Sequence, residues 1–311
     1  MTNLTDPIFS NEEAARAHFE AIRWPDGRVC PHCGTIDNST LMQGKTTRPG
    51  LYKCRDCRKP FTATMGTVYE RSHIPLHKWL LATHLMVSSK KGISAHQLFR
   101  MLGFGSYRTA WFMAHRIREA MRSNDVTPFG SGGSAVEVDE TYIGRKAGVP
   151  VKHGYQHKLG VLALVDRDSG TMRTFTFDKF GAADIYPVVR ANVAREARLM
   201  TDEARVYVTL GREFAEHSTT HHKAKQYVDF NDPTIHTNTV EGAFSIFKRG
   251  MKGVYQLCGE QHLHRYLAEF EFRYNNRAAN GIGDAERATI ALQGAVGRRL
   301  TYARPHGSTA H

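Results

Sequence analysis

The chain has 311 residues, enough for about two domains, with 41% apolar residues and a formal charge of +12. No run approaches the roughly 20 apolar residues of a membrane span, and the acidic, polar opening MTNLTDPIFSNEEAARAHF is no secretory signal, so a cytoplasmic location is expected. The excess of positive charge favours a polyanion as partner, nucleic acid before an anionic membrane surface, against the plainer reading of a basic protein kept soluble by its charge.

The first motif is CPHC at residues 30–33, followed by CRDC at 54–57, with twenty residues between Cys33 and Cys54. Two residues between cysteines let a tight turn aim both thiolates at one tetrahedral ion, and a second pair closes the ligand set. Cys30, Cys33, Cys54 and Cys57 are therefore expected to hold one structural Zn²⁺. Such a closed site stabilises a fold and performs no hydrolysis. The alternative, a redox pair, needs no duplication. His32 is expected to face out, and Cys258, which stands alone, to be a core residue.

After this ribbon, assigned to residues 1–70, come helical patterns assigned to a helix-turn-helix region over 71–128. PLHKWLLATHLMV is apolar enough to pack on a neighbour. In ISAHQLFRMLGFGSYRTAWFMAHRIREAMR, Ser94 is a helix cap, and Leu98 and Leu102 share one face. The turn Gly103-Phe104-Gly105 has the short glycine-bearing form of a helix-turn-helix. On the second helix Ala110, Met113, Ile117 and Met121 point inward. Arg108, His115, Arg118 and Arg122 are expected on the outward side, suited to phosphate and base contacts in double-stranded DNA. A plain helical hairpin with a solvated basic face reads the same residues differently.

FGSGGS, residues 129–134, marks a linker or a wide turn. Beyond it SAVEVDETYIG, KLGVLALVDR and TMRTFTFDKF read as strands, the last two pairing around Asp168-Ser169-Gly170. AADIYPVVRANVAREA reads as a helix, ARLMTDEA as the start of another strand, and NTVEGAFSIFKRGM and QHLHRYLAEFEFRYNNR as closing helices. The result is a mixed α/β layer arrangement over residues 135–285, with a C-terminal tail over 286–311. His217, His221 and His222, in EHSTTHH, suggest a loop near DNA more than a metal site.

In SAVEVDETYIG, alternation sends Val136 and Val138 to one face and Glu137 and Asp139 to the other. An acid inside an apolar strand must be paired or bind a cation. Asp202 ends a second apolar run in the same way. Glu241 lies beside the buried stripe Val240, Phe244 and Phe247 of its helix, with Asn238 one turn before it and Lys248 two turns after. Three acids brought together retain protons or need a divalent cation, and oxygen ligands beside phosphate suit Mg²⁺ or Mn²⁺. Two such ions per site serve phosphoryl transfer. The competing reading pairs Glu241 with Lys248 or Arg249 and leaves Asp202 as a helix cap.

From about residue 22 to 276 the chain resembles the bacterial insertion-sequence transposases of the ISXO-like group. The resemblance is carried by CPHC, CRDC, KPFTATMGTVYERSHIPLHKW, SYRTAWFMAHRIR, VEVDETYIGRK, MTDEARVY, HTNTVEGAFSIFKRGMKGVY and HLHRYLAEFEFRYNNR. It implies a zinc ribbon followed by an RNase H-like catalytic domain with a DDE triad, whose members fall on Asp139, Asp202 and Glu241. The family's basic residue falls on Lys248, and Asn238 competes for the third place. His236 is a further candidate DNA contact. The activity implied is cleavage of element ends and joining of the 3′-hydroxyl to target DNA, by a homodimer or larger assembly. A DNA-binding regulator without catalysis, or a structure-selective nuclease of the same fold, are the rival readings.

Overall fold

The computed structural model describes residues 3–151, 153–220 and 228–300, which divide into two units. One runs to Arg122 and takes in the chain again from Ile282; the other is Ser123–Gly281.

The first unit begins with α1 (Glu12–Arg23). Asn11 caps it, its side chain accepting from the Glu13 and Ala14 amides at 2.9 and 3.0 Å. Three short antiparallel strands follow, β1 (Ser39–Leu41), β2 (Tyr52–Cys54) and β3 (Pro60–Phe61). Their core is only Cys30, Tyr52, Cys54 and Phe61, with Trp24 edge-on to both aromatic rings. So small a core calls for a metal. Helices α2 (Leu76–Ser88), α3 (Ala95–Met101) and α4 (Tyr107–Met121) come next. Ser94 caps α3 by accepting from the Gln97 amide at 3.1 Å, and Gly103 turns the chain with φ +61°.

The stretch from 286 onward, expected to be a tail, is helical up to Gln293. The last helix, α9 (Asp284–Gln293), buries Ala291 and Leu292, and Arg287 donates to the Val87 carbonyl of α2 at 3.0 Å. Gly294 lets it approach α4, since a Cβ there would stand 2.2 Å from the Ala120 carbonyl oxygen. Its apolar stripe is short and built largely of alanine, which leaves a weak periodic signal.

The second unit is built on a five-stranded sheet of β4 (Ala135–Ile143), β5 (Leu159–Asp166), β6 (Thr171–Phe177), β7 (Arg198–Asp202) and β8 (Glu216–Thr220), in the order β6-β5-β4-β7-β8. The first three form an antiparallel meander; β7 and β8 run parallel to β4. All of β5 is buried, as its continuous apolar run requires. The β5–β6 turn forms where expected, with the Asp166 carboxylate accepting from the Asp168 and Ser169 amides and Gly170 at φ +63°. One face carries α5 (Ala182–Asn192) and α6 (Arg205–Gly211) over Val136, Val138, Leu162 and Leu164. The other carries α7 (Asn238–Gly250) and α8 (Leu263–Asn275) over Val161, Ala163 and Val165. A mixed sheet in this order, covered by helices on both faces, is an RNase H-like arrangement.

Residues 129–134 form a wide turn within this unit: Phe129 enters the core, and Gly130, at φ +79°, packs against Ala197 and Val136. EHSTT, expected to be loop, is the edge strand β8. His217 lies against Gly211 and meets the Thr201 hydroxyl at 2.9 Å. His221 and His222 lie outside the described residues.

Candidate active site

The cysteines meet as their spacing requires. Sγ of Cys30 lies 3.7 Å from Cys57 and Sγ of Cys33 lies 3.6 Å from Cys54. Each pair closes its turn through a left-handed residue after its second cysteine, Gly34 at φ +78° and Arg58 at φ +57°. All four sulfurs lie within 4.8 Å of one another, the one such set of ligating groups among the described residues. The Cys33 thiol is drawn down to about 6, first by its hydrogen bond from the Thr35 hydroxyl. Four cysteine sulfurs at this spacing fit a structural Zn²⁺, which would hold them as thiolates. The exposed His32 turns away, its Nε2 lying 3.2 Å from the Pro60 carbonyl.

In the second unit, Glu137 of β4 pairs with Met200 of β7 in parallel register. Two residues further along each strand, and on the same face, come Asp139 and Asp202. The ladder ends at Glu137 and Met200, and the two acids follow it on neighbouring strands, near enough for the charge of Asp202 to act on Asp139. Beyond Asp202 the chain leaves the sheet for α6. The Asp202 carboxylate accepts from the Ala204 amide at 3.0 Å. Glu241 arrives from the first turn of α7, whose stripe of Val240, Phe244 and Phe247 is buried as expected. The Thr237 hydroxyl donates to Glu241 at 3.2 Å.

Asp139, Asp202 and Glu241 line one cleft of about 670 Å³, together with Glu140, Lys158, Lys248, Lys252 and Gln256. They converge there at a wider spacing than the cysteines and do not form a single-ion cage. Burial pushes the Asp139 carboxyl up to about 8, reinforced by the charges of Glu140, Asp202 and Glu241. Glu140, on the opposite side of the strand, accepts from the Tyr207 hydroxyl at 2.9 Å. Burial, then the charge of Asp202, raises it to about 7. The raised Asp139 and Glu140 carboxyls are ones that a hard divalent cation would relieve.

Glu137, facing the same way as Asp139, is fully buried and belongs to a clamp. Its carboxylate accepts from Arg167 Nε at 2.6 Å and from the Val240 amide, in the first turn of α7, at 2.8 Å. Arg167 also donates to the carbonyls of Thr234 and His236, both at 2.5 Å. Thus a buried acid of β4 fixes the start of the helix that carries Glu241, next to the strand that carries Asp139. The alternation of VEVDE flags Glu137 in the sequence; its arginine partner, 30 residues on, carries no local signal.

Several expected DNA contacts stand elsewhere. His236 belongs to the clamp: its Nδ1 lies 2.9 Å from Arg167 and 3.2 Å from Glu137, and the ring does not line the cleft. Asn238 is exposed on the first turn of α7 and neither caps the helix nor lines the cleft. On α4, His115 and Arg118 are buried, at 0% and 1% exposure, so neither lies on an outward basic face. The stretch Met113–Arg118 is buried all round, which the strict one-face reading of that helix did not anticipate. Arg108 and Arg122 are exposed as expected, and Lys248 is exposed at the cleft. Cys258 is half-buried, packed against the α7–α8 core and lining the cleft.

Among the described residues no helix is long and apolar enough to cross a membrane. Residues 131–275 match the model of the ISXO2-like transposase domain, and residues 10–60 match that of the transposase zinc-ribbon domain. The chain is also 26% identical, over 285 residues, to an uncharacterized protein in transposable element ISH50 of Halobacterium salinarum. That alignment covers 85% of this chain and 91% of the relative. The ribbon match falls on the four-cysteine cluster and the domain match on the sheet and cleft just described, and on these grounds the chain carries a transposase zinc ribbon followed by an ISXO2-like transposase domain.

Proposed function

We propose that the cleft cuts DNA at the ends of an insertion element and joins the freed 3′-hydroxyl to a target strand. The observation that carries this reading is that Asp139 and Asp202, on the neighbouring parallel strands β4 and β7, line one cleft with Glu241, in a chain with a transposase domain. Asp139, Asp202 and Glu241 would hold Mg²⁺ or Mn²⁺, with Asp139, which feels the charge of both other acids, as the shared ligand. Divalent ions bound there supply activation of the attacking oxygen and stabilisation of the leaving one.

The chain's own residues provide the rest. Lys158, Lys248 and Lys252 line the cleft and draw the phosphodiester backbone toward the acids. The Glu137–Arg167 clamp keeps Glu241 from drifting away from Asp139. In the first displacement water is the nucleophile and the 3′-oxygen leaves; in the second that 3′-hydroxyl attacks a target phosphodiester and a new 3′-hydroxyl is released. Both are in-line displacements at phosphorus, so one site serves both, and no covalent protein intermediate is required. The ribbon and the α3–α4 pair, with Arg108 and Arg122 as phosphate contacts, would read the duplex ends. The reaction needs two ends together, which implies a dimer or larger assembly acting in the cytoplasm.

The test is a gel assay with Mg²⁺, end-containing duplex and a target plasmid. Cut ends and joined product are expected from the wild type, with Asp139→Asn at least about 100-fold slower. Cutting without joining would favour a nuclease; neither activity, with specific DNA binding intact, would favour a regulator.

A further inference from the structure

The wall of the cleft beside the acids is aromatic, and the sheet explains why. Tyr142, Gly160 and Phe177 lie level on the three antiparallel strands β4, β5 and β6. The middle residue has no side chain, and a Cβ on Gly160 would stand 2.4 Å from the Phe177 ring. Phe177 therefore lies over the glycine and meets Tyr142 edge to face, with ring centroids 5.8 Å apart at 85°. This contact fixes the Tyr142 ring. The β4–β5 connection then brings Tyr155 flat against it, with centroids 4.4 Å apart and the planes 12° from parallel. A turn closed by the Lys158 amide on the Tyr155 carbonyl at 2.8 Å, and a Lys146–His157 backbone bond at 2.8 Å, hold that connection.

Tyr155 nevertheless remains 57% exposed. A tyrosine whose role is to fill a core is covered on both faces; this one is backed on one face by Tyr142 and left open to solvent over most of the remainder. Lys158 Nζ lies over that ring, 5.2 Å from its centroid, so a base stacking there would move this flexible side chain aside and leave its ammonium within reach of the nucleotide's phosphate. Tyr142, Tyr155 and Lys158 line the same cleft as Asp139, Asp202 and Glu241. A rigid, largely exposed π-face shared with a displaceable lysine cation fits an unpaired nucleobase, because every base offers a face to stack and none is selected by hydrogen bonding. Inside a duplex that face is occupied by neighbouring base pairs, so the base must be turned out of the stack.

We propose that Tyr155, backed by Tyr142, is a stacking platform for one nucleobase unstacked from the DNA next to the bond being cut. The proposal rests on the reading that this cleft cuts DNA. It adds a subsite for a displaced base, independent of base identity, to a cleft that otherwise offers acids and lysines.

Equilibrium binding separates bases from phosphates. The full chain, with Ca²⁺ in place of Mg²⁺ to prevent cutting, is titrated with a fluorescent short oligothymidylate and with an abasic strand of equal length and charge. The wild type is expected to prefer the thymidylate. Tyr155→Ala should bind it about 10-fold more weakly while keeping wild-type affinity for the abasic strand, which also reports that the variant is folded. Tyr155→Trp should keep the preference. If Tyr155→Ala binds both strands as the wild type does, or loses both equally, the platform is wrong. Cleavage of end-containing duplex by the wild type in Mg²⁺ is scored separately. A chain that cuts but shows no base preference overturns the platform alone; one that does not cut overturns the parent reading.

Discussion

Asp139 shows what burial does to a single carboxyl group. Shut away from water and facing other acids, it keeps its proton up to about pH 8 in the folded chain, whereas the unfolded chain releases it near the usual carboxylate value of about 4. Between those limits folding takes up a proton, so its contribution to stability falls as pH rises and is fully lost above about 8. Without divalent metal, Asp139→Asn should therefore melt higher than the wild type. The gain should be near zero at pH 4, grow through neutrality and level off above pH 8, where it reaches at least about 3 °C. Thermal melts across this range check it; a variant that melts lower at pH 8 would contradict the burial argument. At this scale the sequence is most legible where chemistry and pattern conflict. An acid inside an apolar strand is visible from alternation, and so Asp139 and Glu137 both stand out. What it hides is the partner. Glu137 meets Arg167 through the β4–β5 pairing, and His236 joins them from a different element. The burial of His115 and Arg118 likewise has no local sign, because a cationic side chain normally argues for an exposed face.

The element that matters most is α7, since it delivers Glu241. Its buried stripe was visible from helical periodicity, but periodicity does not say where the helix starts or what holds its first turn. Glu137 does, by accepting from the Val240 amide while paired with Arg167. Removing one partner of a buried pair leaves the other charge without compensation, at a cost of about 3–5 kcal/mol. Glu137→Ala should lower stability by about that amount, measured by urea unfolding. Glu137→Gln, which can still accept from the amide, should lose less. Both should weaken cleavage more than a remote variant of equal stability loss; parity with such a control would show that the clamp is structural only. Long apolar or alternating runs fixed β4 to β6 and the turn between β5 and β6 at the sequence level. Short or weakly periodic elements, β8, α6 and α9, carry no clear signal of their own. Two of them rest on their neighbours: β8 on the parallel edge of β7, α9 on α2 and α4.

For the chain as a whole, the strong signals in the sequence are the duplicated cysteine pairs and the collinear motifs, which point to the ribbon and the RNase H-like domain. The return of the chain beyond Ile282 to the first unit was not legible, because contacts between distant segments leave no mark in local pattern. Asp139, Asp202 and Glu241, contributed by β4, β7 and α7, are proposed to act together on divalent cations. Titration of the full zinc-loaded chain with Mn²⁺, followed by the loss of the free-ion paramagnetic resonance signal, measures this directly. The wild type is expected to bind about two ions, and Asp139→Asn, Asp202→Asn and Glu241→Gln each to lower the affinity by about 10-fold or more. Wild-type Mn²⁺ binding by any of the three variants would contradict the account.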